Sequence, residues 1–299
     1  MGPTRVSEWG GRAGEDDRLR RFQALRPRLF GIAYRMLQTR SDAEDVVQDA
    51  WRRLAGAGEV RSIDGFLVRT TTRLCLDREK SARARRERYV GPWLPELLDT
   101  RPGPGDRIER LESVNLALLH VLLRLGPVDR AVFLLREVFD YGYDEIADVV
   151  DRRPDACRQI ARRARERVRR EGADRPVDPG EHEALLRAFL EAARAGELAR
   201  LEALLAEDVV MVSDGGGKVP SATREVTGIS SVARLLAGVA GKAPAGVSMD
   251  IRSINGMPAA VVRVEDALEV VFLLQIADGR IRRIFAVRNP DKLVDIDVD

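Results

Sequence analysis

Cysteine and histidine are scarce in this chain, two of each (Cys75 and Cys157, His120 and His182) in 299 residues. That excludes a disulfide framework and an all-cysteine metal site, and it leaves little for a zinc centre or a histidine-based triad. Long apolar runs are also missing. Met1 to Arg21 holds none, so no secretory signal is expected. The longest apolar stretches, Leu116 to Leu125 and Val270 to Ala277, fall well short of the roughly 18 residues that span a bilayer. A cytoplasmic protein without a membrane partner is expected. Lysine is nearly absent, four of fifty basic residues, a bias that is given no functional weight.

What is present suits a globular chain of two or three domains: 44% hydrophobic and 33% charged residues. The net charge of +2 hides an asymmetry. Residues 1–180 carry 36 basic and 30 acidic side chains, and residues 181–299 carry 14 and 18. The basic front is the candidate for nucleic acid, and the acidic back is expected to pack on the front helices and their linker.

Periodicity predicts helices over 16–37, 41–55, 64–88, 107–124, 127–138, 143–150 and 154–171, the second opened by a capping box at Ser41-Asp42-Ala43-Glu44. Proline and glycine make 89–105 and 172–180 linkers. Helices at 181–195 and 198–205 then lead into strand-like runs at 209–213, 222–227, 247–254, 259–264, 268–276 and 281–287, with a helical patch at 230–239. Turns such as Asn255-Gly256 and Asp278-Gly279 suggest an antiparallel sheet. The fold class is multidomain: two all-α modules (16–88 and 106–171), then an α+β curved-sheet domain (181–299).

Three stretches suggest function. Residues 143–170 read as a helix-turn-helix whose second helix turns Cys157, Ile160, Ala161, Ala164 and Val168 inward. Arg158, Gln159 and Arg162 lie opposite, with Arg163 and Arg165 flanking, and Arg and Gln are the side chains that read guanine and adenine edges. An amphipathic helix with a solvated arginine face gives the same pattern. Asp151 sits at the turn, where a left-handed conformation is needed and Asp tolerates it. Residues 61–88 carry nine basic side chains against four acidic ones, suited to a nucleic-acid backbone and equally to a solvated face. Helix 41–55 points Asp42, Asp45, Gln48 and Asp49 outward with Trp51 at the border, either an interface anchor or a core residue.

Taken together, Leu25–Leu37 followed by Asp42–Trp51 resembles region 2 of extracytoplasmic-function (ECF) sigma factors, and 127–170, with Tyr143-Asp144-Glu145-Ile146-Ala147, resembles region 4. The tail, with Asp214-Gly215-Gly216-Gly217-Lys218 and Asn289-Pro290-Asp291-Lys292-Leu293, and the linker Tyr89–Glu96 resemble the SigJ-like subgroup, which carries a fused C-terminal SnoaL-like domain. The resemblance implies an RNA polymerase sigma factor, a monomer in the holoenzyme. Asp42, Asp45, Gln48, Asp49 and Trp51 would dock on core polymerase (the β′ clamp, with β also in contact). Arg73, Arg78, Lys80, Arg83, Arg85 and Arg86 would bind the −10 element, and Arg158, Gln159, Arg162, Arg163 and Arg165 the −35 element. Residues 214–218 and 289–293 would modulate activity in cis. Phenylalanine is commoner where Trp51 stands.

The glycine-rich 214–218 segment lacks the spacing of a phosphate loop and reads first as a mobile connection between strands, with Lys218 free to pair with an acidic surface. SnoaL-like folds include enzymes that use an Asp in an apolar cone. The candidates here are Asp208, Asp214 and Asp250, and none has an evident acid–base partner; His182 is expected on a helix surface. No catalytic residue, metal or cofactor is therefore expected. A small-molecule ligand in the C-terminal domain stays open, as does the alternative of a ligand-responsive one-component helix-turn-helix regulator.

Overall fold

The computed structural model describes residues 8–100, 115–171 and 177–296. The expected linker half 101–105, the start of the helix expected from 107, and 172–176 lie outside the described residues. The chain divides into two compact units: Met1–Arg83 with Leu125–Glu166, and Ala84–Arg124 with Arg167–Asp299.

The first unit is helical. Helix α1 (Glu8–Leu37) carries Pro27 inside it, and its carboxyl half buries Leu29, Ile32, Ala33, Met36 and Leu37. The chain reverses at Gln38, whose φ of 65° stops the helix. Helix α2 (Arg40–Ala55) then starts one residue earlier than the sequence suggests. Its N-cap is Thr39, whose hydroxyl donates to Asp42 Oδ2 at 2.6 Å, so Asp42 closes the first turn rather than Ser41 opening it. Ala43, Val46, Val47, Ala50 and Leu54 form its inner stripe at helical spacing. Helix α3 (Ile63–Glu87) adds Leu67, Val68, Leu74 and Cys75. A fully buried leucine such as Leu54 is worth ~2–5 kcal/mol against alanine.

Helix α4 (Leu116–Leu123) belongs to the second unit, and α5 (Pro127–Phe133) to the first. Residues 134–138 continue α5 as one π-type turn, where the periodicity suggested an unbroken helix. Helices α6 (Tyr143–Val150) and α7 (Pro154–Arg170) follow as expected, and Asp151 takes the left-handed conformation (φ 55°) that joins them.

The second unit contains a six-stranded sheet in the order β2-β1-β6-β5-β4-β3. The strands are β1 (Leu205–Asp214), β2 (Val226–Thr227), β3 (Val247–Ile254), β4 (Met257–Val264), β5 (Ala267–Ala277) and β6 (Arg280–Val287). The β3–β6 meander is antiparallel. Its two-residue turns, Asn255-Gly256, Glu265-Asp266 and Asp278-Gly279, all have positive φ, the twist that matches paired strands. The sheet is nevertheless mixed, because β1 runs parallel to β6. Three helices, α8 (Pro179–Ala195), α9 (Leu198–Leu204) and α10 (Ile229–Ala240), cover one face. There Leu186, Phe189, Leu201, Val232 and Leu236 meet Met211, Ala260, Leu274 and Ile284 in one core. This is the helices-then-sheet order expected of the C-terminal module. His182, expected on the surface of α8, is buried instead, and burial lowers its pKa.

The alternate residues of these strands, among them Val212, Val261, Leu273, Phe285 and Val287, are buried as well. Residues 89–100, expected as a linker on which the acidic back packs, form a strap within this unit. Leu94, Leu97 and Leu98 are buried, the Leu94 amide reaches Asp214, and Asp99 bridges Ile254 at the open edge of β3. Proline and glycine keep the strap extended, and its leucines fix it. Helix α4 also lies against the sheet, with the His120 ring 5.5 Å from that of Phe285.

Candidate functional site

Four surfaces hold the residues singled out from the sequence. On α2, Asp45 and Gln48 are exposed, while Trp51 is half-buried with its ring 4.9 Å from Phe22. Phe22, Arg26, Val47, Gln48, Trp51 and Arg52 line an open groove of about 390 Å³. An aromatic floor with a polar rim is the anatomy of a protein-docking site. Asp42 and Asp49 are partly turned inward: Asp42 holds Thr39, and Asp49 accepts from Arg52 (2.8 Å) and Arg78 (2.6 Å).

That last contact involves a basic residue of α3. Arg78, grouped with the DNA-facing side chains, is half-buried beside the inward face that carries Cys75, Glu79 and Ala82. It ties α3 to α2 through Asp49, the Asp42 carbonyl (3.3 Å) and Asp45 (3.7 Å). Lys80, Arg83 and Arg85 are exposed, Arg86 lies over the Trp93 ring at 5.6 Å, and Arg73 is exposed beside α6.

In the helix-turn-helix, Glu145 Oε2 accepts from the Gly142 amide (2.9 Å) to open α6. Along α7 the inner stripe is Cys157, Ile160, Ala161, Ala164 and Val168, as the spacing requires. Arg158, Gln159, Arg162 and Arg163 are exposed on the other side. Arg158 is held by Asp155 one turn back and lies 5.5 Å above the Tyr143 ring. Arg165 departs from the expected reading face. Its guanidinium makes a two-point pair with Glu137 (2.6 and 3.0 Å), because its position faces the π-turn.

The fourth surface is a node around Asp214, at the end of β1 and fully buried. Its carboxylate accepts from Tyr89 Oη (2.6 Å), the Leu94 amide (2.8 Å), the Gly216 amide (3.1 Å) and Lys292 Nζ (2.7 Å). The Lys292 ammonium also donates to the Leu94 carbonyl and sits 4.0 Å from the Trp93 ring centroid and 4.8 Å from that of Tyr89. Burial pulls the lysine pKa down and Asp214 opposes it; burial, with Asp214, pushes the Tyr89 phenol up. Asn289 donates to Tyr89 Oη (2.6 Å) and caps the turn Pro290–Lys292 through the Asp291 amide, and Leu293 is buried behind it. Lys218 pairs with Asp291 at 2.6 Å. The glycines between them form an ordered tight turn rather than a loose connection: a Cβ on Gly215 would fall 2.5 Å from the Val219 carbonyl oxygen. One on Gly216 (φ +60°) would fall 2.5 Å from Asn289, and one on Gly217 (φ +71°) 3.0 Å from Val90. Both predicted segments therefore meet at the strap. Tyr89 and Trp93, which the sequence offered only as part of a linker, complete the node; two aromatics in a Pro/Gly-rich stretch were the available signal.

A second cluster in this unit escaped the sequence reading. Arg124, at the end of α4, pairs with Glu171 and Glu225 (3.2 Å each). Arg283 of β6 also pairs with Glu171, whose carbonyl accepts from Gln275 (2.8 Å). His120 lies beneath, its pKa lowered to about 3 by burial and by Arg124 and Arg283.

Of the other two carboxylates weighed as acids, Asp208 pairs with Arg282 (2.7 Å) and Asp250 with Arg263 (3.6 Å), both at the surface.

Residues 21–86 match the Sigma-70 region 2 family and 115–168 the Sigma-70 region 4 family. The chain is 32% identical over 285 residues to the ECF RNA polymerase sigma factor SigJ of Mycobacterium tuberculosis, covering 91% of each. The chain belongs to the ECF RNA polymerase sigma factors. A second relative of this sigma factor, the probable ECF sigma factor SigI of the same organism, is 34% identical over 277 residues, covering 91% of this chain and 93% of SigI. The crystal structure of M. tuberculosis SigJ matches the sigma factor's fold with a TM-score of 0.74 at 29% identity, across 93% of this chain and 98% of that one. Region 2 spans the α2 groove and the basic α3, and region 4 spans the helix-turn-helix. Among the described residues of this sigma factor, no helix is long and apolar enough to cross a membrane.

Proposed function

We propose that this sigma factor acts as a cytoplasmic, non-enzymatic initiation factor whose C-terminal module controls it in cis through the strap. The groove around Trp51, rimmed by Gln48 and Asp45, docks on core polymerase. Arg73 and the exposed basic residues from Lys80 onward engage the −10 element. Gln159, Arg162 and Arg163, with the pre-positioned Arg158, read the −35 element, while Arg78 and Arg165 serve the fold. The protein enters the holoenzyme as a monomer. The face of the C-terminal sheet under α8–α10 is filled by apolar side chains, which favours a regulatory module over an enzyme or a ligand-binding cone.

The observation that carries the cis-control reading is Asp214, which accepts from two residues of the strap, from its own glycine turn and from Lys292. The strap continues the basic helix α3, so a change at the node reaches residues 83–88 along the chain. The test is promoter-directed transcription by purified core polymerase on the gene's own upstream region, comparing the full chain with Asp214→Asn and Lys292→Met. Point variants are preferable to a cut near residue 178, which would strip the sheet from Leu94, Leu97 and Leu98. A change in transcript yield at equal polymerase binding is expected. Equal yields from all three chains would remove cis-control through the strap.

A further inference from the structure

We infer that nucleic-acid phosphates and helix α6 compete for the same two arginines of α3, so that engaging DNA there frees the carboxyl end of α6 from α3. The inference rests on the reading of α3 as a DNA-binding helix. Within the first unit, Arg73 donates from Nε to the Val149 carbonyl (3.1 Å) and from Nη2 to the Asp148 carbonyl (3.0 Å). Arg69, one turn earlier, faces the Asp148 carboxylate at 3.4 Å. These carbonyls end α6 and lack intrahelical partners, and they form the negative pole of the helix. Two outward oxygens with a carboxylate beside them offer a guanidinium fork what a phosphate backbone offers. A phosphate that takes the Nε–Nη2 edge of Arg73 displaces both carbonyls from it, so the two compete for that edge.

The rest of this contact explains why it forms without DNA. Arg130 of α5 and Glu79 of α3 make a 3.3 Å ion pair with side chains only 1% and 4% exposed, and Arg130 also donates to the Met36 carbonyl. Arg28 of α1 donates to the Phe139 carbonyl (2.7 Å) with its guanidinium 4.7 Å from the Tyr141 ring centroid. These groups hold regions 2 and 4 together from inside. Arg69 and Arg73 form the exposed margin of the same contact, the part that a polyanion reaches first.

The experiment uses the full chain, a fluorescein-labelled oligothymidylate as the phosphate probe, and hydrogen exchange of the 143–153 amides as the readout. Asp148→Arg places a like charge between Arg69 and Arg73, and Asp148→Asn is the milder variant. Residue 148 is exposed, so both should fold. Expected is a faster exchange of 143–153 in wild type on adding the probe. Both variants should show faster exchange without it, and the probe should bind about two- to fivefold tighter to Asp148→Asn. Unchanged exchange in the variants, or unchanged exchange in wild type at saturating probe, would overturn the proposal. So would faster exchange in the variants with no gain in probe affinity. Arg73→Ala separates the two readings: if it leaves probe affinity intact, α3 does not bind DNA through this residue, and the proposal falls for that reason alone.

Discussion

Replacing Asp214 by asparagine should cost the second unit about 3–5 kcal/mol, the range for breaking a buried ion pair by removing one partner. The carboxylate is fully buried, and four donors converge on it. Asparagine keeps one acceptor oxygen and turns an amide toward donors that need acceptors. Lys292 then keeps its charge in a site with only the Leu94 carbonyl and two aromatic faces, which do not match a carboxylate for a desolvated ammonium. Against a total of about 5–15 kcal/mol for a domain, the variant should fold but melt early. Lys292→Met removes the charge at similar volume, and Asp214→Asn/Lys292→Met should cost clearly less than the sum of the singles, by more than about 1 kcal/mol. Urea unfolding, followed by Trp93 fluorescence in a Trp9→Phe, Trp51→Phe background, reports on the node itself because Lys292 sits against that ring. A single-variant cost under about 1 kcal/mol, or additive costs in the cycle, would refute the view that one buried pair fastens the strap.

Three further outcomes are expected. His120 is neutral in the fold with a pKa near 3, while in the unfolded chain it titrates near 6.5. The unfolded state therefore takes up the proton first, and stability should fall by roughly 2 kcal/mol between pH 7 and pH 5. His120→Phe should reduce that slope in a pH series of melting curves, with the neighbouring Arg124, Arg283, Glu171 and Glu225 left in place; buried His182, whose pKa is also lowered, supplies a remainder of the same sign. Gly216→Ala should destabilise by about 1–3 kcal/mol in thermal melts, since it combines a left-handed backbone with a collision on Asn289; a neutral result would mean that the turn relaxes. Arg162→Ala should weaken −35 binding by about 1–3 kcal/mol in gel-shift titrations with holoenzyme. Arg165→Ala should instead lower thermal stability through loss of the Glu137 pair, and a reversal of these two effects would redraw the reading face.

Local pattern was enough to read most helices and the meander, because periodicity and turn chemistry act over a few residues. The left-handed Asp151 was visible for the same reason. The parallel pairing of β1 with β6 was not, since it joins strands some 70 residues apart and no local signal sets their direction. The strap shows a different limit. Proline and glycine correctly exclude helix in 89–100, but the same residues say nothing about burial, which Leu94, Leu97 and Leu98 decide through partners 120 to 160 positions away. The pairing of Arg78 with Asp49 and of Arg165 with Glu137 was not legible, because a basic side chain on a basic helix looks alike whether it faces DNA or a carboxylate on the next helix. The two motif segments of the node were legible one by one. Their meeting at Tyr89 and Lys292 needed the fold.

The 200 positions between Tyr89 and Asn289 also set a schedule. At about 5–20 residues per second, a ribosome that has just made the strap needs roughly another 10–40 s to deliver the residues that fasten it. Once residue 168 is made, the nascent chain carries both helical segments while the residues that fasten the strap are still to come. The strap is thus fastened only by residues made after both helical segments.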